Sequence, residues 1–204
     1  MDAALPSKQA LRSRVLAARG ALGPAERLER SRAVTARLLD LELFHRCRSL
    51  ALYAAIGAEV DTSEIAHAAA SRGKRVAFPR VRGGARALRF AACALDELVP
   101  GPHGTREPPP SAPDVEAADL DLVLVPGVAF DARGGRLGRG GGHYDATLAA
   151  LPRGVARLGL AFELQVVPAV PREAHDEPLD GVITEARVLF RLPPGPAQGK
   201  SSPP

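Results

Sequence analysis

Residues 136 to 145 read Arg-Leu-Gly-Arg-Gly-Gly-Gly-His-Tyr-Asp. Four glycines among five positions, Gly138, Gly140, Gly141 and Gly142 with Arg139 between them, allow positive φ and turn several N–H groups toward one anion. Arg136 and Arg139 add forked positive charge suited to phosphate oxygens. Asp145, at the start of an expected helix, offers a carboxylate to a divalent cation. The apolar run Leu122 to Val125, ending in Pro126-Gly127, reads as the strand that leads into this loop. Strand, glycine loop and helix in that order suit a nucleotide phosphate with its metal. The block is neither a P-loop, which needs Gly-Lys followed by Ser or Thr, nor the dinucleotide fingerprint, which needs glycine where His143 stands although Gly138 and Gly140 match its first pair. A glycine-rich surface turn is the competing reading.

Other candidates lie far away in the chain. Lys8, Arg12 and Arg19 flank the apolar stripe of an expected first helix, either as a solvated charged edge or as an anion-binding one. Glu59 follows a strand end, and open α/β sheets gather their ligand sites at the carboxyl ends of strands. His175-Asp176-Glu177 forms a late acidic loop, and Asp176 is a candidate to share a metal with Asp145, since Mg²⁺ takes one or two carboxylates plus phosphate oxygens and water. No Cys or His pair has zinc-ligand spacing, and no Ser-His-Asp or Cys-His set suggests a covalent enzyme intermediate.

The elements that must hold these residues follow from periodicity. Leu11, Val15, Ala18 and Leu22 share one helical face at about 100° per residue. Gly23-Pro24 restarts the helix, and Leu28, Leu38 and Leu39 carry a second one towards Leu43. Ser49 to Ile56 reads as a buried strand, with Asp61 or Thr62 capping a helix that runs to Arg72. Strands are expected at 75–79, in an antiparallel excursion at 88–91, at 156–162, 182–184 and 188–190, with a short helix over 143–151. Six prolines between Pro100 and Pro113 predict an extended loop, a candidate lid or clamp.

With 204 residues, 46% hydrophobic and 25% charged, the chain suits one α/β domain over residues 1–192, and the Pro, Gly, Ser tail at 193–204 is expected to be disordered. The net charge of +4 and pI of about 9.6 arise without any basic run, so anionic small molecules fit better than nucleic acid. Cys47 and Cys93 lie far apart, as reduced structural thiols do. No apolar run spans a membrane and no signal peptide is visible, so a cytoplasmic protein is expected.

Taken together, Lys8-x-x-x-Arg12, Tyr53 ahead of Glu59-Val60-Asp61-Thr62, Phe78-Pro79, Arg106-Glu107-Pro108, Pro126-Gly127, Phe130-Asp131, the Arg136 to Asp145 block and His175-Asp176 resemble the 5-formyltetrahydrofolate cyclo-ligase family. The likeness runs over residues 8 to 190. It implies ATP- and Mg²⁺-dependent closure of 5-formyltetrahydrofolate to 5,10-methenyltetrahydrofolate, releasing ADP and phosphate. It also implies a three-layer αβα sandwich with a mixed, mostly parallel sheet, related to ribose-5-phosphate isomerase and CoA transferases.

By position, the resemblance implies ATP contacts at Lys8, Gln9, Ala10, Leu11 and Arg12 and at Arg136, Leu137, Gly138, Arg139, Gly140, Gly141, Gly142, His143 and Tyr144. It implies folate contacts at Arg12, Ala54 and Glu59, magnesium at Asp145 and Asp176, and reaction chemistry at Lys8, Arg139 and Glu59. Many relatives carry Lys where this chain has Gly141 and Tyr where it has His143. A monomer acting on small molecules, without nucleic acid or membrane partners, is the expectation. The alternatives are a paralogue of the same fold acting on another substrate, for instance in thiamine salvage, and a non-catalytic RNA- or nucleotide-binding module. Only 4% aromatic residues leave the last few stacking platforms.

Overall fold

The computed structural model describes residues 6–83, 85–173 and 176–191, without the His103 side chain. The tail expected at 193–204 and His175 lie outside the described residues. Three helices come first, α1 (Lys8–Gly20), α2 (Pro24–Leu39) and α3 (Glu42–Arg46). An eight-stranded sheet follows, from β1 (Ser49–Ala51), β2 (Arg75–Arg80), β3 (Arg89–Ala92), β6 (Asp114–Val115), β7 (Leu122–Val125), β10 (Ala156–Leu160), β11 (Gly181–Ile183) and β12 (Val188–Phe190). Two helices, α4 (Ser63–Ser71) and α5 (His143–Ala150), and two small hairpins, β4 (Val99–Pro100) with β5 (Arg106–Glu107) and β8 (Ala129–Phe130) with β9 (Arg136–Leu137), complete it.

The sheet order is β12-β11-β10-β7-β1-β2-β3-β6. Neighbours from β11 to β2 pair in parallel, whereas β12 and β3 are antiparallel to their inner neighbours. Alternation along β7 shows how the layers are made: Leu122 and Leu124 face one core with Val34 and Leu38 of α2, Phe44 of α3 and Ile65 of α4, while Val123 and Val125 face the other with Leu148 of α5. Successive strand side chains point to opposite faces, so the sheet is covered by helices on both sides, as the sequence reading expected. A third cluster joins Leu11 and Val15 of α1 to Val128, Ala129 and Leu137 of the β8–β9 hairpin.

Several local expectations are corrected. In α1 the buried face is Leu11, Val15 and Arg19, and Ala18 is exposed. The i, i+4, i+8 row continues through the arginine because its guanidinium finds the Gly127 carbonyl at 3.2 Å. The second helix stops at Leu39, and α3 is a separate turn. Strand β1 ends at Ala51, five residues early, although the Leu52 amide still donates to the Ala77 carbonyl at 3.0 Å. Beyond it the Tyr53 carbonyl accepts from the Thr62 hydroxyl at 2.6 Å, and the Tyr53 hydroxyl donates to the Val60 carbonyl at 3.1 Å. These two bonds fold residues 53–62 back on themselves. The proline-rich stretch is no simple extended loop: it holds the β4–β5 hairpin, and β6 then returns beside β3 at the sheet edge.

Asp131 fixes the β8–β9 turn that precedes the glycine loop. It is 2% exposed, and its carboxylate accepts from the amides of Arg133, Gly135 and Val170, each at 2.8 Å. A Cβ on Gly135 would strike that carboxylate. Next to it Phe130 is fully buried in a slot that Cβ atoms on Gly127 and Gly159 would both enter. Removing a ring so enclosed costs about 3–5 kcal/mol. Among the described residues no helix is long and apolar enough to cross a membrane. Cys47 and Cys93 are free thiols, and burial raises both, Cys93 to about 11.

Candidate functional site

The strand order turns at the β1–β7 boundary: the chain proceeds outward to β2 and β3 on one side and to β10 and β11 on the other. Open α/β sheets leave a crevice at the carboxyl ends of strands on either side of such a switch. A cavity of about 230 Å³ lies there. Tyr53, Ala54, Ile56 and Glu59 line it from the segment after β1, Pro126 and Gly127 from the end of β7, and Pro79 and Val81 from the end of β2. The glycine loop from Gly138 to Gly142, with Arg136 and the start of α5 at His143, Tyr144 and Asp145, forms a further wall, and Leu88 and Thr105 to Glu107 complete it.

The loop has the properties its composition predicts. Gly140 and Gly142 have φ of 112° and 69° with open space where a Cβ would lie, and Gly142 is the left-handed N-cap of α5. The amides of Gly140, Gly141 and Gly142 donate to no acceptor among the described residues. Unpaired donors at a helix start, reinforced by two arginines, are what binding an anion requires. Arg136 is anchored rather than mobile: its Nη2 meets Asp145 Oδ1 at 2.5 Å, its side chain is 4% exposed, and its guanidinium lies 5.7 Å from the centre of the Tyr144 ring. Gly138 gives way to it, since a Cβ there would lie 2.9 Å from Arg136 Nη1.

Arg139 reaches across the cavity mouth to Glu59 Oε1 at 2.9 Å and to the Ile56 carbonyl at 3.3 Å. Glu59 is 8% exposed at its side chain and accepts from the Ile56 amide through Oε2 at 3.0 Å. The phosphate-type loop and the strand-end carboxylate, which the sequence reading proposed separately, are thus joined by one ion pair. Behind them lies Arg19, 3% exposed, donating to the Gly127 carbonyl that also accepts from Gln165 Nε2 at 3.0 Å. Burial lowers the Arg19 pKa, and the Glu59 charge opposes that fall.

The α1 residues approach from the outer side of the loop. Arg12 Nε donates to the Gly138 carbonyl at 2.8 Å, fastening the helix to the loop. Lys8 contacts Asp176 Oδ2 at 2.8 Å and Glu173 Oε1 at 3.0 Å. Partial burial pulls its pKa down, but these two carboxylates outweigh it and leave it raised. Gln9 and Ala10 are exposed near the helix start, with the Ala10 amide capped by Ser7. The Leu11 and Leu137 side chains are buried in the third core cluster, so any ligand contact they make uses the backbone. His143 Nδ1 pairs with the Arg86 carbonyl at 2.8 Å, and a Cβ at Gly141 would come within 3.1 Å of its ring.

Asp145 and Asp176 each face a cation of the protein, Arg136 and Lys8 respectively. Arg136 donates to one Asp145 oxygen, Oδ1, and Asp145 lines the cavity wall. Among the described residues no three His, Cys, Asp or Glu side chains gather as a metal cage. Of the two, Asp145 lines the cavity and Asp176 does not, and a single carboxylate at the wall suits a metal held mostly by phosphate oxygens and water, the usual arrangement for Mg²⁺ with a nucleotide.

Sequence reasoning named Arg19 only as a cation flanking the first helix and Glu107 only within Arg106-Glu107-Pro108, and gave neither a place at this cavity. The four-residue step from Leu11 through Val15 to Arg19 was available as a signal. For Glu107 the pointer was a lone acid amid prolines.

Both tyrosines of the chain, Tyr53 and Tyr144, border the cavity. Burial, and then the nearby Glu59 charge, raises both phenols above the usual value of 10.0. Stability gained by keeping them neutral is complete below pH 10.0 and is lost as pH rises above it, because the unfolded phenols ionise there first. In a spectrophotometric titration, tyrosinate absorbance should stay absent above that pH until the protein unfolds, then appear together with loss of helicity. A normal titration of either tyrosine in folded protein would contradict the closed packing described.

Comparison with known proteins follows the same lines. The model of the 5-formyltetrahydrofolate cyclo-ligase family matches residues 4–185. The 5-formyltetrahydrofolate cyclo-ligase of Escherichia coli strain K12 is 30% identical over 174 residues, covering 83% of this chain and 96% of that protein. The solution structure of 5,10-methenyltetrahydrofolate synthetase from Aquifex aeolicus superposes with a TM-score of 0.79 at 33% identity, covering 90% of this chain and 92% of the other. A 5,10-methenyltetrahydrofolate synthetase from Mycoplasma pneumoniae shares the fold with a TM-score of 0.73 at 24% identity, covering 88% of this chain and 99% of the other.

Proposed function

The chain belongs to the 5-formyltetrahydrofolate cyclo-ligase family, and from that premise we propose that its cavity closes 5-formyltetrahydrofolate to 5,10-methenyltetrahydrofolate while ATP becomes ADP and phosphate. The observation that carries this reading is the Arg139–Glu59 ion pair. It joins the glycine loop to a strand-end carboxylate, which supports a site where a phosphoryl group passes onto a bound folate.

The chemical problem is a poor leaving group. The N5-formyl oxygen departs as phosphate only after it has taken the γ-phosphoryl group of ATP. N10 then attacks the activated carbon, the carbon–oxygen bond breaks, and the N10 proton is released as the ring closes. Positioning and charge neutralisation supply most of the catalysis in phosphoryl transfer. The open amides of Gly140, Gly141 and Gly142, with Arg136 and Arg139, bind and orient the triphosphate. Arg12 and Lys8 hold it from the α1 side. Arg139 offsets charge on the moving group, and Glu59 accepts hydrogen bonds from the folate near its formyl end. Asp145 and Asp176 are the carboxylates that would hold magnesium, which would supply charge neutralisation to the phosphates.

Purified protein given Mg-ATP and 5-formyltetrahydrofolate should produce the methenyl chromophore and ADP in equal amounts. Omitting ATP should abolish the signal. Chromophore formation that proceeds equally without ATP, or ATP hydrolysis without cyclisation, would contradict the proposed reaction.

A further inference from the structure

Among the described residues three acidic side chains line the cavity, Glu59, Asp145 and Glu107. Two are engaged: Glu59 by Arg139 and the Ile56 amide, Asp145 by Arg136. Glu107 is different. It is 9% exposed, and its one hydrogen-bond partner among the described residues is the Thr105 hydroxyl at 3.4 Å. That hydroxyl carries a single proton and lies 2.6 Å from the Pro102 carbonyl, so the carboxylate receives little from it. The adjacent Arg106 does not compensate, because its guanidinium is turned to the carbonyls of Leu95 and Leu98.

A largely buried carboxylate with so weak a donor gains from better ones, and the local backbone keeps this one in place. Glu107 is paired with Val99 in the β4–β5 hairpin. The turn passes so close that a Cβ on Gly101 would lie 2.7 Å from Glu107 Cγ and 2.6 Å from Thr105 Oγ1. The surrounding cavity wall is apolar, with Pro79, Val81 and Leu88. Such a site is completed by a flat ligand that brings two adjacent N–H donors.

Resting on the cyclo-ligase reading, we propose that Glu107 is the specificity-determining acceptor for the pterin ring, taking the N3–H and the 2-amino group in a paired hydrogen bond. The tetrahydropterin presents these donors side by side on one edge, in the spacing a carboxylate accepts. The two glutamates then have separate tasks. Glu59, tied to Arg139, stands where formyl and phosphoryl groups meet, and Glu107 holds the far edge of the ring on the wall made by β5. The stretch from Val99 to Val115 thereby becomes a substrate-recognition element.

The test compares 5-formyltetrahydrofolate with its analogue carrying a methyl group in place of the 2-amino group. For the wild-type protein, kcat/KM should fall about 100-fold on the analogue, since a site built to hydrogen-bond a donor rejects the molecule that lacks it. In Glu107→Gln the KM for 5-formyltetrahydrofolate should rise about 10-fold or more, the KM for ATP should stay within about 2-fold, and the discrimination should shrink to about 5-fold or less. Glu107→Asp, which keeps the charge, should retain part of the preference. Undiminished discrimination in Glu107→Gln would overturn the assignment. So would wild-type protein that turns over both compounds equally, a result that needs no variant to fold. Absence of turnover on 5-formyltetrahydrofolate itself would contradict the proposed reaction and is thus a separate outcome.

Discussion

Replacing Arg139 by alanine is expected to lower kcat for methenyl formation by about 10³-fold or more, the scale on which a charge-stabilising arginine acts in phosphoryl transfer. The fold should hardly notice. The Arg139 side chain is 51% exposed, and an ion pair at that exposure contributes little to stability. Two effects combine in the loss. The positive charge aimed at the moving phosphoryl group disappears, and Glu59, 8% exposed, loses its ion-pair partner and is left with the Ile56 amide and the buried Arg19 behind it. A triphosphate then approaches a carboxylate that has lost its paired arginine. Adding Glu59→Gln should therefore restore part of the ATP affinity without restoring kcat. Steady-state kinetics on the single and double variants checks both statements, and a near-normal kcat for Arg139→Ala would refute the role of the loop.

Asp145 carries the second large effect. Asp145→Asn preserves the shape and leaves one oxygen for Arg136, but removes the charge proposed to hold magnesium. Its kcat should drop about 10³-fold, with melting temperature lowered by only a few degrees. Asp145→Ala is expected to lose stability as well, by about 3 kcal/mol, because Arg136, 4% exposed, is left without its carboxylate. The pair separates the two duties of this residue. Raising Mg²⁺ should partly rescue Asp145→Asn if the carboxylate binds the ion, and no rescue together with an unchanged apparent Mg²⁺ affinity would assign Asp145 to the Arg136 contact alone.

The glycine loop was legible in the sequence because its chemistry is local. Four glycines, two arginines and an aspartate within ten residues declare backbone freedom, charge and a helix start without reference to the rest of the chain. The αβα layering was also visible, since the apolar runs at 122–125 and 156–162 alternate with helical stripes, and the structure has helices on both faces of the sheet. What escaped depends on distant partners. Arg19 was read as a flank because charge outranks position in a helical pattern, yet Gly127, over a hundred residues away in the chain, supplies the carbonyl that lets it stay buried. Lys8 and Asp176 meet across 168 residues, a closure no spacing rule reports. Glu107 sat in a proline-rich stretch that looked like a loop, and its exposure is decided by the β4–β5 hairpin and the close turn at Gly101. Strand β1 ended early for a similar reason, because the Thr62 hydroxyl captures the Tyr53 carbonyl and bends the chain out of the sheet.

The central claim is that this cavity passes the γ-phosphoryl group to the formyl oxygen before the ring closes. The most direct measurement is an isotope transfer, with the formyl oxygen of 5-formyltetrahydrofolate labelled with heavy oxygen and the released phosphate read by mass spectrometry. The account predicts one labelled oxygen in each phosphate formed. Unlabelled phosphate accompanying full conversion to the methenyl product would contradict it.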